Sequence, residues 1–271
     1  MPLMRIPIPF RKRAPRVSVI RMSGAIAAGG RGQRLNDEGL APLVERAFAK
    51  GKPAAVALVI NSPGGSPVQS SLIAARVRRL AEEKDIKVYA FVEDIAASGG
   101  YWLACAADEI WVDPTSIVGS IGVIYAGFGF QDLIAKHGVV RRVHTAGKSK
   151  SMLDPFRAEK PEDIDKLKSW QGQMHEVFID HVRQSRGERL AAPDGEDMFT
   201  GDIWVGQKSV DVGLADGVGH VVPKMKEIFG DKVRFQVFGP KRGLLSRFGA
   251  QMASDAFGLV EERSLYARYG L

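Results

Sequence analysis

Two short stretches of this 271-residue chain combine small and hydroxyl-bearing residues in a pattern suited to nucleophilic catalysis. Asn61-Ser62-Pro63-Gly64-Gly65-Ser66 directly follows the apolar run Ala54–Ile60. Ala96-Ala97-Ser98-Gly99-Gly100 comes shortly after a second apolar run, Val88–Val92. Gly64 and Gly65 carry no side chain to block a substrate, so their backbone N–H groups are free to face it. Donors placed this way stabilise a tetrahedral oxyanion. Ser98 stands among small residues at an expected helix start, where its hydroxyl is accessible and the helix's positive end favours developing negative charge. Either loop alone reads as a tight turn or a cap. Both at adjacent strand ends point to one crevice, the place where parallel α/β sheets bind ligands.

The surrounding pattern supplies such a sheet. Val17–Met22 alternates like a strand, and Ala54–Ile60 and Val88–Val92 are continuously apolar, as strands buried on both faces are. Between them, Leu40, Leu43, Val44, Ala47 and Phe48 form a helical stripe that Asp37 is placed to cap. A second helix is predicted over Val68–Glu83, with Ser66 and Pro67 at its start and Arg76 and Arg79 on one face. Ser98–Ala107 reads as an interior helix. Short strands are expected near Glu109–Val112, Gly119–Ile124 and Val139–Thr145, and a helix near Gln131–His137. Pro161–Arg186 is a long amphipathic helix with acids in its first turn. Trp204–Val212 reads as a shorter helix ended by Gly213. Strands alternating with helices predict an α/β fold.

Composition narrows the class. The chain is 45% hydrophobic and 25% charged, with one cysteine, which excludes disordered, collagen-like and disulfide-stapled proteins. The longest uncharged stretch, Pro53–Ala75, is split by the turn at Asn61–Ser66, so no transmembrane helix is expected. The N-terminal MPLMRIPIPFRKR places its charge after a brief, proline-broken apolar run, unlike a secretory signal. The net charge of +7 resides in the ends: residues 1–16 contribute +5, residues 241–271 contribute +2, and 17–240 is neutral. Nucleic-acid binding therefore has no support. The basic tails read as solubilising, with peripheral contact to anionic lipid as the alternative.

The two loops resemble those of the signal peptide peptidase A family, including its SohB-like branch, within the ClpP/crotonase superfamily. The resemblance spans about 17–240. It continues through Val118-Gly119-Ser120-Ile121-Gly122-Val123, Ala146-Gly147-Lys148-Ser149-Lys150-Ser151 with Asp154-Pro155-Phe156, and Thr200-Gly201 with Trp204, Gly206 and Gly213-Leu214-Ala215-Asp216. It implies a ClpP/crotonase-like fold of repeated β-β-α units with a parallel sheet core. It also implies a Ser–Lys dyad, with Ser98 the nucleophile, Lys150 the general base and Ser120 a hydroxyl orienting the lysine. The oxyanion donors become the N–H groups of Gly65 and Gly99, with Gly64 shaping the turn. In relatives the serine and lysine of one site commonly come from different subunits, which implies a homo-oligomeric ring. Ser209, where many relatives carry Ala, and the absence of a membrane anchor are departures.

A lysine base has a physical requirement. At pH 7 an unperturbed lysine is neutral in about one molecule in 2,500, a cost of about 4.6 kcal/mol. Burial lowers that cost by disfavouring the charged form, and Gly99–Ala107 and Ile121–Phe130 are apolar segments suited to line such a pocket. Without the resemblance, Lys150 reads as a solvated loop cation. Among the five histidines, His144 is near Lys150 in sequence and stays open as an alternative base. His175 and His181 lie six residues apart, the wrong spacing for a zinc helix. No metal or cofactor is expected.

The domain reading is a basic tail at 1–16, a peptidase domain at 17–240 and a basic helical extension at 241–271. The functional reading is an ATP-independent serine endopeptidase acting on extended peptides such as signal-peptide remnants or membrane-protein fragments. It is placed in the cytoplasm or at the inner face of the membrane. A crotonase-type acyl-CoA enzyme and a non-catalytic membrane-associated scaffold are the alternatives.

Overall fold

The computed structural model describes residues 14–29, 34–147, 149–192, 197–239 and 263–271. Most of the predicted tail cations, Arg5 to Arg13 and Lys241 to Arg247, lie outside the described residues.

The chain forms an eight-stranded sheet flanked by helices. Strand β1 (Arg16–Ser23) leads to helix α1 (Asp37–Ala49), then β2 (Ala55–Ser62), α2 (Pro67–Lys84) and β3 (Val88–Ala97). These strands pair in parallel, and β8 (Arg234–Phe238) pairs in parallel with the outer edge of β1. Ala55 to Ile60 are all buried, as their unbroken apolar run demands. One face of the sheet packs Ile20, Met22, Leu58 and Ile60 against α1 and α2. The other packs Val19, Ala57, Val59 and Phe91 against Met225 of α7 (Val221–Phe229).

Helix starts follow local chemistry. Ser66 caps α2 and Pro67 opens it, as expected. The cap of α1 is Asn36 rather than Asp37: the Asn36 side chain accepts the Gly39 N–H at 2.8 Å. Asp37 is the first helical residue, and its carboxylate takes two hydrogen bonds of 2.7 Å from Arg76, tying α1 to α2.

The feature that positions the site is a fork at β3. Its first half, Tyr89–Val92, pairs with β4 (Glu109–Val112). Its last residues, Ile95–Ala97, pair instead with β5 (Ile117–Gly119). Helix α3 (Gly99–Ala104), wholly buried, carries the chain from β3 to β4. The expected strand at Gly119–Ile124 is thus shifted, ending at Gly119. Beyond it Ser120 takes a φ of +50°, which breaks the extended run.

Two further expectations fail for local reasons. Trp204–Val212 is not one helix: strand β6 (Ile203–Val205) pairs antiparallel with β5, and α6 (Gln207–Asp211) starts afterwards. Gly206, at φ +46°, makes the break. Val139–Thr145 is not a strand. No neighbouring strand among the described residues meets its backbone, and most of it is exposed. It follows α4 (Gln131–Lys136) on a projecting arm.

Helix α5 (Pro161–Arg186) matches its expected bounds and joins arm to body. Its buried residues, Phe178, Val182 and Arg186, all lie in its last third. Arg186 is fully buried and donates to the Gly213 carbonyl and to Asp216, both at 2.8 Å. Asp216 also accepts from the Ile110 N–H, so this group joins α5, β4 and the Gly213–Asp216 turn. Burial is the largest single influence and opposes the Asp216 charge, but the Arg186 hydrogen bond, the Ile110 N–H and the charges of Arg186 and Arg189 together hold the carboxyl below its ordinary value.

Removing Asp216 leaves a buried guanidinium uncompensated. Asp216→Ala is therefore expected to lower unfolding stability by about 3–5 kcal/mol in urea titrations. Because the folded carboxyl titrates lower than the unfolded one, its contribution is complete above about pH 4 and drains as pH falls through the folded value. Asp216→Asn should flatten that acid limb.

Candidate active site

Ser98 is the residue at which β3 turns into α3, and its backbone sits at φ +51°, ψ −122°. A side chain with a Cβ is costly there, of order 1–3 kcal/mol. Ser98 occupies the N-cap position, yet its side chain makes no capping hydrogen bond, so the plain cap reading offers no return for the strain. What holds the turn is its surroundings. Ala97 pairs in register with Gly119, and the Ser98 N–H donates to the Gly119 carbonyl at 2.8 Å. Ser120, the next residue after the paired strand, also has a positive φ (+50°), and its N–H donates to the Asp202 carbonyl at 2.7 Å. Ser98 and Ser120 thus leave two paired strands side by side.

The first glycine loop closes against the second. A Cβ on Gly64 (φ +97°) would lie 2.7 Å from the Ala97 oxygen and the Gly99 nitrogen and 2.8 Å from the Ser98 Cβ. A Cβ on Gly65 or Gly100 would strike the backbone of Ile26 or Ser62. Ile26 donates to the Gly64 carbonyl and accepts from the Ser66 N–H, each at 2.8 Å. That parallel bridge uses the groups on either side of Gly65 and leaves the Gly65 N–H out of it. Gly99 is the first residue of α3, where a helix leaves its first donors unused. The two glycines meet beside Ser98: a Cβ on Gly99 would lie 3.4 Å from the Gly65 nitrogen.

A cleft of about 600 Å³ opens over this point, lined by Pro63, Gly65, Ser98 and Ser120 on one side and Gly122, His175 and Thr200 on the other. His175 was assigned no place here from sequence. Its Nε2 lies 2.9 Å from the Ile121 carbonyl, so that nitrogen donates and fixes the backbone after Ser120. The available signal was its position on the apolar face of α5, four turns from the helix start. The described C-terminal residues Leu265, Arg268 and Tyr269 also line the cleft, which no pattern in the sequence announced.

Lys150 is elsewhere. It is exposed, in the loop after Gly147, and does not line the cleft. Ile124 to Phe130, expected to help enclose it, are exposed on the arm. His144 is exposed there too. Other residues fill structural roles. Tyr101 is buried and donates to the Leu214 carbonyl at 2.8 Å, and Trp102 stacks on His181 and Phe178. Burial lowers the His181 pKa and pushes the Cys105 thiol up to about 12. Ser209 is buried and donates to the Gly206 carbonyl.

The sequence pattern of peptidase family S49 matches residues 80–228, more than half of the chain. The chain belongs to peptidase family S49. The likeness to SohB-like proteins holds as well: the "Probable protease SohB" of Haemophilus influenzae is 30% identical over 213 residues, covering 77% of this chain and 58% of that protein. A Brucella melitensis protein named "Na(+)/H(+) antiporter NhaA" is 45% identical over 284 residues, covering 98% of this chain and 38% of its own length. The chain thus spans well under half of that relative. No helix among the described residues is long and apolar enough to cross a membrane. Among solved structures, a mutant of the 1510-N membrane-bound stomatin-specific protease in complex with a substrate peptide is similar at a TM-score of 0.52 and 14% identity. That match covers 87% of this chain and 96% of the other. The likeness is one of fold and bears out the expected α/β architecture.

The strain at Ser98 makes a stability prediction. Ser98→Gly removes it at the cost of about 0.5–1 kcal/mol of glycine entropy, so the variant should gain about 1 kcal/mol in urea unfolding. Gly64→Ala, whose Cβ meets fixed backbone, should lose more than about 2 kcal/mol.

Proposed function

We propose that this chain is a subunit of an ATP-independent serine endopeptidase whose site is completed by a second copy. The observation that carries the reading is the strained, uncapped Ser98 beside the Gly65 and Gly99 amides, in a chain of a peptidase family. A silent scaffold has no use for that strain, and an acyl-CoA enzyme would need the amides but not the hydroxyl.

In this reading an extended peptide lies in the cleft beside Asn61–Ser66, held by main-chain hydrogen bonds. Ser98 Oγ attacks the scissile carbonyl carbon while its proton passes to Lys150 Nζ. The Gly65 and Gly99 N–H groups receive the oxyanion. The ammonium then gives its proton to the leaving amine as the C–N bond breaks, leaving an ester on Ser98. Water, deprotonated by the same amine, releases the acid and restores the serine. Ser120 holds the lysine in place.

Lys150 reaches this site from a neighbouring subunit. The arm that bears it exposes Ile124, Phe128, Leu133, Val139, Val140, Trp170 and Val177. An apolar surface of that extent is the mark of an interaction site. Covering it with a second copy would place the lysine in dry surroundings, where its neutral form is favoured. The structural neighbour's bound peptide supports a peptide substrate by analogy; membrane-derived or damaged peptides are the class the family suggests.

Ser98→Ala and Lys150→Ala are each expected to lose at least 10³-fold in peptide hydrolysis. Mixed under subunit exchange, they should recover a substantial part of wild-type activity, read with a fluorogenic peptide library. Single variants as active as wild type would defeat the mechanism. Two inactive variants that never complement would defeat the shared site.

A further inference from the structure

Residues 263–271 return to the cleft from the far end of the chain. They form a helical turn over 263–267, and the rings of Tyr266 and Tyr269 pack on a floor made by Ile95, Ala97 and Ile117. That floor is the paired ends of β3 and β5, and Ala97 directly precedes Ser98. Each hydroxyl is also anchored: Tyr266 donates to the Asn61 carbonyl at 2.9 Å and Tyr269 to Ser120 Oγ at 3.1 Å. The segment therefore spans from the first glycine loop to the hydroxyl assigned to orient the lysine.

We propose that the Ile95–Ala97–Ile117 floor is a subsite for aromatic side chains of a bound peptide. At rest it is filled by Tyr266 and Tyr269, so that residues 263–271 compete with substrate. The inference rests on the peptidase reading of the cleft and adds the side-chain class it takes. A single helical turn has no stability of its own, so the segment depends on tertiary contacts, among them its two rings and two hydroxyls. Such a contact is suited to displacement. While it lasts, the Tyr269 hydroxyl occupies a hydrogen-bonding position of Ser120. In the turn, rings three residues apart share one face; an extended substrate places the same two contacts two residues apart. Peptides with large aromatic residues at alternate positions are therefore the preferred ligands.

The test uses a fluorescein-labelled peptide of sequence Arg263–Leu271 and full-length Ser98→Ala protein, with binding read by anisotropy. Adding Tyr266→Ala and Tyr269→Ala together should tighten binding at least 10-fold by vacating the floor. Tyr269→Phe alone, which keeps the ring, should give a smaller gain and guards against a folding defect in the double variant. Equal or weaker binding to both variants overturns the proposal. With Ser98 intact, the double variant should hydrolyse aromatic-rich peptides at least 5-fold faster at low substrate. A fall in hydrolysis would make the segment a fixed wall and overturns the proposal. If binding tightens as stated but no protein hydrolyses peptide, the floor and its occupant stand and the peptidase reading falls. If hydrolysis is present but neither binding nor rate changes, the reverse holds.

Discussion

The register between Ala97 and Gly119 is the constraint on which the site depends. It makes two strands end together, with Ser98 and Ser120 following them, each at a positive φ. The first glycine loop then packs so closely on the second that no side chain fits at Gly64. Ser98, Ser120 and the glycines of both loops are thereby held together by backbone pairing and close packing. The strain at Ser98 is balanced by the parallel sheet beneath it, whose central strands are buried on both faces.

The proposed base is held differently. The contacts that position Ser98 are internal to one chain, whereas Lys150 is exposed on an arm that buries little of its own apolar surface. Helix α5 links the two, pinned at one end by Arg186 and Asp216 and by Phe178 and Val182, with Trp170, Met174 and Val177 exposed along the rest. In the proposed mechanism a rigidly held Ser98 is served by a base that arrives on assembly, which would couple activity to subunit association. The C-terminal segment would add a second condition, because it stands on the apolar floor next to Ser98.

Much of this was legible in the residues. The two glycine loops follow apolar runs that can only be buried strands, so their meeting place was readable, as were the bounds of α5 from its proline and its stripe. What escaped has particular causes. The end of β5 was misplaced because Gly119-Ser120 continues an apolar run through a backbone reversal that only the tertiary pairing reveals. Gly206 splits Trp204–Val212 because its backbone is pressed against Pro114, a long-range contact with no local signal. Val139–Thr145 has strand composition but no partner strand among the described residues. Nor does helical periodicity tell that His175 faces a cleft, or that Tyr266 and Tyr269, more than 140 residues from Ser120, lie against it.

The central claim is that the fold itself prepares Ser98 for acylation. The most direct measurement treats the assembled full-length protein with a fluorophosphonate and locates the adduct by peptide mass spectrometry. The account predicts a single stoichiometric adduct on Ser98, abolished by prior unfolding in urea. A folded protein that takes no adduct, or takes it on another serine, would contradict it.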